Sequence, residues 1–210
     1  GWIYFGPQIL SINAEMPIKT APELIAYAKA NPGKLSYAVD VTAGAAPVCA
    51  RLFNKRAGTG MVEVPYRSAA QMVQDVASGV VPVLIASMAA TNTMVQAGKI
   101  RALAITSAKR SPFLPDAPTF KEQGFDLEGA IWRGIAVKAG TPDDAVAAIQ
   151  SAIDKVTASA EWKTFQQEQF QDSPDWAEAE FTERSLAEVR RRGWAQSVAE
   201  REAGVASVSA

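Results

Sequence analysis

Histidine is absent from the 210 residues of this chain, and cysteine occurs once, at Cys49. The absence of histidine excludes Ser–His–Asp and Cys–His catalytic triads as well as histidine-ligated metals. A single cysteine excludes an intramolecular disulfide and a cysteine-rich zinc site. Cys49 lies between Val48 and Leu52 in a helical pattern, which favours a small buried residue over a reactive thiol. The sequence therefore predicts no metal and no cofactor.

An excess of either charge is also absent, because 21 Lys and Arg residues balance 22 Asp and Glu residues. No basic stripe is interleaved with aromatic residues, so the sequence argues against a nucleic-acid partner. No apolar stretch approaches the roughly 18 residues of a membrane span. Residues 1–5 have neither a charged leader nor a small-residue cleavage site, so we expect no signal peptide in this chain. The phosphate-binding patterns GxGxxG and GxxxxGK(S/T) do not occur.

Helix and strand patterns alternate along the first half of the chain. Residues 20–23 match a capping box, with Thr20 as the N-cap residue and Glu23 three positions later. Gly58, Gly79 and Gly98 each follow a helical pattern at the left-handed capping position, and each precedes a strand pattern. These β–α–β passages predict an α/β fold, with a mostly parallel sheet that carries helices on both faces.

The composition changes after Thr106. The segment that follows, up to Pro118, is basic and rich in proline, which indicates a crossing between two lobes. We therefore predict one lobe over residues 7–107 and the returning part of a second, incomplete lobe over residues 108–210.

The predicted second lobe contains one buried strand and two long helices. The strand is expected over residues 130–137. The first helix should start at Thr141 and bury one face, because its apolar residues recur at helical spacing. These apolar residues are Val146, Ile149, Ile153 and Val156. The last helix is expected to start at Ser173 and to run into the arginines at 190–192.

Two strand–loop–helix segments of similar design lie in the predicted first lobe. We call residues 35–46 the first junction and residues 61–70 the second junction. The start of a helix presents backbone N–H groups without intrahelical partners and the positive end of the helix dipole. In a parallel sheet, ligands bind at the carboxyl ends of the strands, which is where both junctions lie. The sequence therefore predicts an anion-binding site without a metal or a catalytic side chain.

Individual residues near these junctions allow more than one role. Arg67 is either a ligand for a carboxylate or a solvated cation, and Ser68 is better explained as an N-cap. Tyr66 either packs or stacks on a ligand, with packing favoured. Asp40 either points away from the anion or binds a cationic group on an amino-acid-like ligand. Trp132 lies on a cleft wall or in a core.

Several segments, spread in order over nearly the whole chain, carry a family resemblance. They are residues 20–37, Val64-Pro65-Tyr66-Arg67-Ser68, residues 98–111, Leu114-Pro115-Asp116-Ala117-Pro118-Thr119, Trp132-Arg133-Gly134 and residues 139–142. In these segments the chain resembles the Bug-type (TctC-like) substrate-binding proteins of tripartite tricarboxylate transporters.

The resemblance implies a periplasmic protein of the Venus-flytrap type, with a type II periplasmic-binding-protein fold. Such proteins capture a small carboxylate and deliver it to the membrane subunits of a transporter. Residues 7–107 would be the ligand-binding lobe, and residues 108–210 would return to the other lobe. The ligand-binding residues implied are Val41, Thr42, Ala43, Gly44, Ala45, Ala46, Tyr66, Arg67, Ser68, Ala69, Ser87, Trp132 and Arg133.

The chain departs from the family pattern at several places. Residues 44–47 replace a segment that is rich in serine and threonine in relatives, and residues 86–88 replace an Asp-Asn pair. Arg133 stands where an apolar residue is common, and an arginine there would add a charge-assisted carboxylate contact. The long segment that precedes these residues in relatives is also absent. We therefore expect an exposed apolar patch and, through it, a homo-oligomer or a domain-exchanged dimer.

Two other function classes stay open at this point. An effector-sensing or signalling module on the same fold would bind similar ligands but contact a different partner. A metal-free enzyme is the third class, and the absence of histidine and of catalytic motifs weighs against it. Saturable binding of a carboxylate without conversion distinguishes the binding protein from the enzyme.

Overall fold

The computed structural model describes residues 2–40 and 44–168, without the side chains of residues 2–5, 132 and 133. The strands are β1 (Trp2–Asn13), β2 (Ser36–Asp40), β3 (Val62–Tyr66), β4 (Val83–Ser87), β5 (Ile100–Ile105) and β6 (Ala130–Gly134). The helices are α1 (Ala21–Ala30), α2 (Ala45–Ala57), α3 (Ala69–Ala77), α4 (Met88–Gln96), α5 (Asp143–Ala158) and α6 (Ala160–Glu168), with a short 3-10 helix at Lys121–Gln123. The predicted last helix, from Ser173 to the arginines at 190–192, lies outside the described residues.

The strands form one mixed sheet in the order β3-β2-β4-β1-β5, and β6 pairs with β1. Strand β2 is parallel to β3 and to β4, as the β–α–β passages predict. Strand β1 is antiparallel to β4 and to β5. The α/β prediction is therefore confirmed, with a mixed rather than a wholly parallel sheet.

Local signals in the sequence set the ends of several helices. The Thr20 hydroxyl accepts a hydrogen bond from the Glu23 N–H, and the Glu23 carboxylate accepts one from the Lys19 N–H, so the capping box is confirmed. Gly58 and Gly79 have φ angles of 61° and 82°, which glycine adopts without the steric penalty of a Cβ atom. Helices α2 and α3 therefore end where the sequence predicts.

The sheet separates two clusters of buried side chains. Val83 and Ile85 of β4 belong to the first cluster, which α1 and α2 cover, whereas Leu84 and Ala86 belong to the second, which α3 and α4 cover. This alternation follows from the strand period of two. Helices therefore lie on both faces of the sheet, as the sequence predicts.

Residues 6–131 form one compact unit, and residues 2–5 and 132–168 belong to a second unit. The predicted lobe boundary after residue 107 thus falls inside the first unit. Phe120 and Leu127 are buried in its first cluster, and Thr119 forms a parallel bridge with Ile105. The basic, proline-rich composition predicted a crossing between lobes, but composition does not show which core such a segment covers.

The second unit differs in part from its prediction. Helix α5 begins at Asp143, and the apolar face that we expected to be buried is largely exposed. Ile153 is buried, whereas Val146, Ile149 and Val156 are 39%, 36% and 55% exposed. Strand β6 ends before the exposed Ile135, so the prediction of a longer, buried strand is also wrong. Helical spacing shows which side of a helix is apolar, but burial also needs a partner surface.

Among the described residues, no helix is both long enough and apolar enough to cross a membrane.

Candidate anion-binding edge of the sheet

Three strands end at one edge of the sheet, and each is followed by a helix. Strands β2, β3 and β4 end at Asp40, Tyr66 and Ser87. Because β2 is parallel to both β3 and β4, these three ends share one edge, and α2, α3 and α4 begin there. We call this the anion-binding edge. It lies within the unit formed by residues 6–131.

Two further polar residues complete this edge, and the sequence analysis missed both. Gln8 of β1 pairs with Ser87, and its backbone N–H donates to the Thr106 hydroxyl at 2.8 Å. Both Gln8 and Thr106 are nearly fully buried. Gln8 lies at this edge because β1 runs antiparallel to β4, which no local pattern in the sequence indicates. The composition of the edge therefore depends on strand pairing.

The start of α2 has a glycine at the N-cap position. This residue, Gly44, has a φ of 129° and no side chain that could accept a hydrogen bond from the first turn. Ala45 and Ala46 follow with side chains that carry no polar group. An anion is a suitable acceptor for the free backbone N–H groups at such a helix start. The neighbouring predicted residues Val41, Thr42 and Ala43 lie outside the described residues.

The start of α3 combines a capped helix with an exposed cation. The Ser68 hydroxyl accepts a hydrogen bond from the Gln71 N–H at 3.4 Å, so the N-cap prediction is confirmed. Arg67 is exposed and forms no ion pair or hydrogen bond with any described residue. Its guanidinium group is therefore available to a ligand, and Ala69 begins the helix beside it. The ligand role of Arg67 stays a prediction.

Tyr66 packs against the second cluster, and its hydroxyl is engaged. It donates to a carboxylate oxygen of Asp75 at 2.7 Å. Burial, and then the bond to the Asp75 carboxylate, raise the pKa of Tyr66 to about 12. The Tyr66 hydroxyl is thus hydrogen-bonded to a residue of α3. Stacking of the Tyr66 ring on a ligand stays a prediction.

The start of α4 leaves a hydroxyl at the edge. Ser87 is the N-cap residue in position and backbone angles, but its side chain accepts no capping hydrogen bond. Instead its carbonyl accepts from the Thr91 hydroxyl at 3.2 Å. Directly paired residues of antiparallel strands present side chains on the same face, so the Ser87 hydroxyl lies next to Gln8.

The remaining predicted residues are not part of this edge as described. Trp132 and Arg133 lie in β6, in the second unit, and their side chains are outside the described part of the structure.

Cys49 is buried, as predicted, and burial raises the pKa of its thiol to about 12. A buried thiol with a raised pKa is a poor nucleophile.

The edge offers backbone N–H groups, one hydroxyl and one guanidinium group, all of which stabilise an anion. The described residues contain no group of three or more histidine, cysteine, aspartate and glutamate side chains that could hold a metal. Asp40, at the end of β2, is a carboxylate within the first junction, and both of its predicted roles stay open.

The fold is that of α/β periplasmic binding proteins. The R. palustris protein Rpa4515, whose structure contains adipate, superposes with a TM-score of 0.73 at 28% identity, covering 98% of this chain and 68% of that one. The periplasmic binding protein BugD superposes with a TM-score of 0.70 at 23% identity, covering 94% of this chain and 69% of that one. The BugD match supports the fold alone.

The sequence model of the tripartite tricarboxylate transporter family receptor (TctC) matches residues 3–188. A UPF0065 protein from the tcbD-tcbE intergenic region of Pseudomonas sp. strain P51 is 31% identical over 157 residues, which are 73% of this chain and 46% of that protein. The chain belongs to the TctC receptor family, also known as the Bug family. It spans about half the length of the curated relatives that it matches.

Proposed function

We propose that this chain is a solute-binding protein that captures a small mono- or dicarboxylate for a tripartite tricarboxylate-type transporter. The observation that carries the proposal is the convergence of three helix starts and the exposed Arg67 at one edge of the sheet. Membership of the receptor family supports it, and so does the adipate in the structure of the relative Rpa4515.

In this proposal the ligand carboxylate accepts hydrogen bonds from the backbone at the start of α2. Arg67 and Ser87 add a charge-assisted and a neutral hydrogen bond. The ligand-binding roles predicted for Val41, Thr42 and Ala43, which precede Gly44 in the sequence, are part of the proposal. The roles predicted for Trp132 and Arg133 are proposed separately, for the second unit.

We further propose that the protein binds without catalysis and acts in the periplasm, where it contacts the membrane subunits of the transporter. The absence of histidine and the buried Cys49 remove the side chains that most often serve as base and nucleophile. An effector-sensing module on the same fold is the alternative, but no observation on this chain favours it. Self-association through the exposed apolar residues of the second unit is part of the proposal.

Native mass spectrometry of the purified protein tests whether a carboxylate is retained. Titration calorimetry with acetate, succinate, malate and adipate then measures the affinity for a panel that varies chain length and charge. We expect saturable binding of at least one member, with no conversion after prolonged incubation. Conversion of a bound carboxylate would contradict the proposal in favour of an enzyme.

The variant Arg67→Gln removes the exposed cation and should weaken the binding of that ligand about tenfold, or about 1.4 kcal/mol. The control is Lys99→Gln, because Lys99 is an exposed cation just before β5, at the opposite end of the sheet from Ser87. Equal affinities for the two variants would show that Arg67 is only a solvated cation.

A further inference from the structure

The carboxylate of Asp75, on α3, accepts hydrogen bonds from a residue before Arg67 and from a residue after it in the second junction. Asp75 accepts a hydrogen bond from the Tyr66 hydroxyl at 2.7 Å, and its other oxygen accepts one from the Gln71 side-chain amide at 2.7 Å. Tyr66 is the last residue of β3, and Gln71 lies in the first turn of α3. One carboxylate therefore connects the end of the strand to the start of the helix.

The connection continues through the backbone of the helix start. The Gln71 N–H donates to the hydroxyl of the N-cap residue, Ser68. Gln71 is therefore hydrogen-bonded both to Ser68 and to Asp75. The residues on either side of Arg67 are thus both restrained, while its own side chain has no partner among the described residues. This arrangement fixes the backbone position of Arg67 and leaves its guanidinium group for a ligand.

Asp75 is itself held firmly. Its carbonyl accepts hydrogen bonds from the Val80 N–H at 2.9 Å and from the Ser78 hydroxyl at 3.2 Å. The next residue, Val76, is fully buried in the second cluster. A group on a packed helix positions its partners more accurately than a group on a loop.

Asp75 lies near the end of the second turn of α3, beyond the first backbone N–H groups of the helix. Its two oxygens are occupied by Tyr66 and Gln71, and the first turn of α3 contains no acidic residue. The Tyr66 hydroxyl stays protonated up to strongly alkaline pH, because burial and the Asp75 carboxylate raise its pKa to about 12. The donor that connects β3 to α3 is therefore present at every pH at which the binding protein would work.

We propose that Asp75 is a positioning residue, which through Tyr66 and Gln71 directs Arg67 and the first backbone N–H groups of α3 toward one anion. The inference rests on the proposed function, because that anion is the carboxylate of the captured ligand. A purely structural role would be different: loss of Asp75 would then lower the stability of the protein without changing ligand affinity or the dynamics of the junction.

The first test needs no ligand. Tyr66→Phe keeps the ring and its packing but removes the hydroxyl, and Asp75→Asn removes the charge and one acceptor. Tyr27→Phe is the control, since it makes the same substitution at an exposed tyrosine on α1, outside both junctions. In the full chain, amide hydrogen exchange at residues 67–71 should be faster in both junction variants and unchanged in the control. Unchanged exchange in Tyr66→Phe and Asp75→Asn would overturn the inference.

The second test measures affinity for whichever of succinate, malate and adipate binds the wild type. Tyr66→Phe and Asp75→Asn should each weaken binding about tenfold, and the double variant should lose little more, because both remove the same connection. Tyr27→Phe should bind as the wild type does. Lower thermal stability with unchanged affinity would overturn the positioning role.

The two tests separate the inference from the proposed function. If the wild type binds none of the three dicarboxylates or acetate, the proposed function is wrong. The exchange result alone then decides the inference: faster exchange at the junction supports Asp75 as the residue that holds it, and unchanged exchange overturns that role.

Discussion

At the scale of single residues, one glycine is required by a contact rather than by its backbone angles. A Cβ atom added to Gly129 would lie 2.5 Å from the Cys49 sulfur atom, closer than real Cβ atoms come to their neighbours. The backbone of Gly129 is fixed by the Thr106 carbonyl, which accepts its N–H at 3.0 Å, and the Thr106 hydroxyl donates to its carbonyl. The backbone of Gly129 therefore cannot move freely away from the Cys49 sulfur atom.

We expect Gly129→Ala to destabilise the protein by about 1–3 kcal/mol, the usual cost of overpacking a core. Chemical denaturation of the variant measures this loss. The double variant Gly129→Ala with Cys49→Ala should recover most of it, because removing the sulfur atom makes room for the new methyl group. Losses that simply add in the double variant would contradict the steric explanation.

Glu63 is a second residue whose surroundings predict a measurable effect, here on pH dependence. It accepts hydrogen bonds from Arg51 at 2.7 and 2.9 Å and from the Tyr37 hydroxyl. The bonds from Arg51, more than any other cause, hold the pKa of Glu63 below its ordinary value. A carboxylate with a depressed pKa stabilises the folded state above its unfolded pKa, and this stability is lost as the pH falls through the folded pKa.

The difference in free energy of unfolding between the wild type and Glu63→Gln should thus be constant near neutral pH and shrink below about pH 4.3. It should be small, on the order of 0.5 kcal/mol, because the pair is partly exposed. Urea denaturation over this pH range measures it. The same comparison in an Arg51→Met background should lose most of its pH dependence; an unchanged dependence there would show that Arg51 is not the cause.

At the scale of elements, patterns of residues close together in the sequence predicted helix ends correctly, whereas no pattern predicted the pairing of distant strands. The capping box of α1 and the glycine after α2 depend on residues a few positions apart, so a pattern reveals them. The antiparallel course of β1, which brings Gln8 to the anion-binding edge, depends on pairing with strands far away in sequence. The bond between Tyr66 and Asp75 joins a strand to the next helix, and no periodicity predicts it.

The helix starts also differ in a way that a stability experiment can detect. The Thr20 hydroxyl caps α1, whereas the Ser87 hydroxyl makes no capping bond to α4. Thr20→Ala should therefore cost about 1 kcal/mol of stability, and Ser87→Ala should cost little. Ligand affinity should show the opposite order, because Ser87 is at the anion-binding edge. Equal stability losses, measured by denaturation, would show that the Ser87 hydroxyl is a cap in solution.

At the scale of the whole molecule, the family resemblance predicted the family and the fold of the chain, whereas composition and residue patterns predicted only the fold class and a kind of site. Composition argued against whole classes of chemistry, and the junctions predicted an anion site at the edge where β2, β3 and β4 end, which stays a prediction. The first compact unit extends to residue 131, beyond the lobe boundary predicted after residue 107, because Phe120 and Leu127 pack into its first cluster. The identity of the carboxylate cannot be predicted from this chain, since backbone N–H groups recognise a charge and not a particular side group.

The second unit carries exposed apolar side chains that bear on the oligomeric state. Ile149 and Val156 of α5 and Phe165 of α6 are 36%, 55% and 43% exposed. Apolar side chains clustered on one surface favour association with another apolar surface. We therefore expect the purified chain to show concentration-dependent association in sedimentation velocity.

The substitution Val156→Lys should shift this equilibrium toward the monomer, because a buried, unpaired charge would oppose the contact. Val80→Lys is the matched control: Val80 is 68% exposed but belongs to the first unit, so it should leave the association unchanged. If Val80→Lys disrupts association as strongly as Val156→Lys, the contact does not depend on the apolar side of α5. A monomer at every concentration, with one cooperative unfolding transition, would show that these side chains are covered within a single chain or tolerated in water.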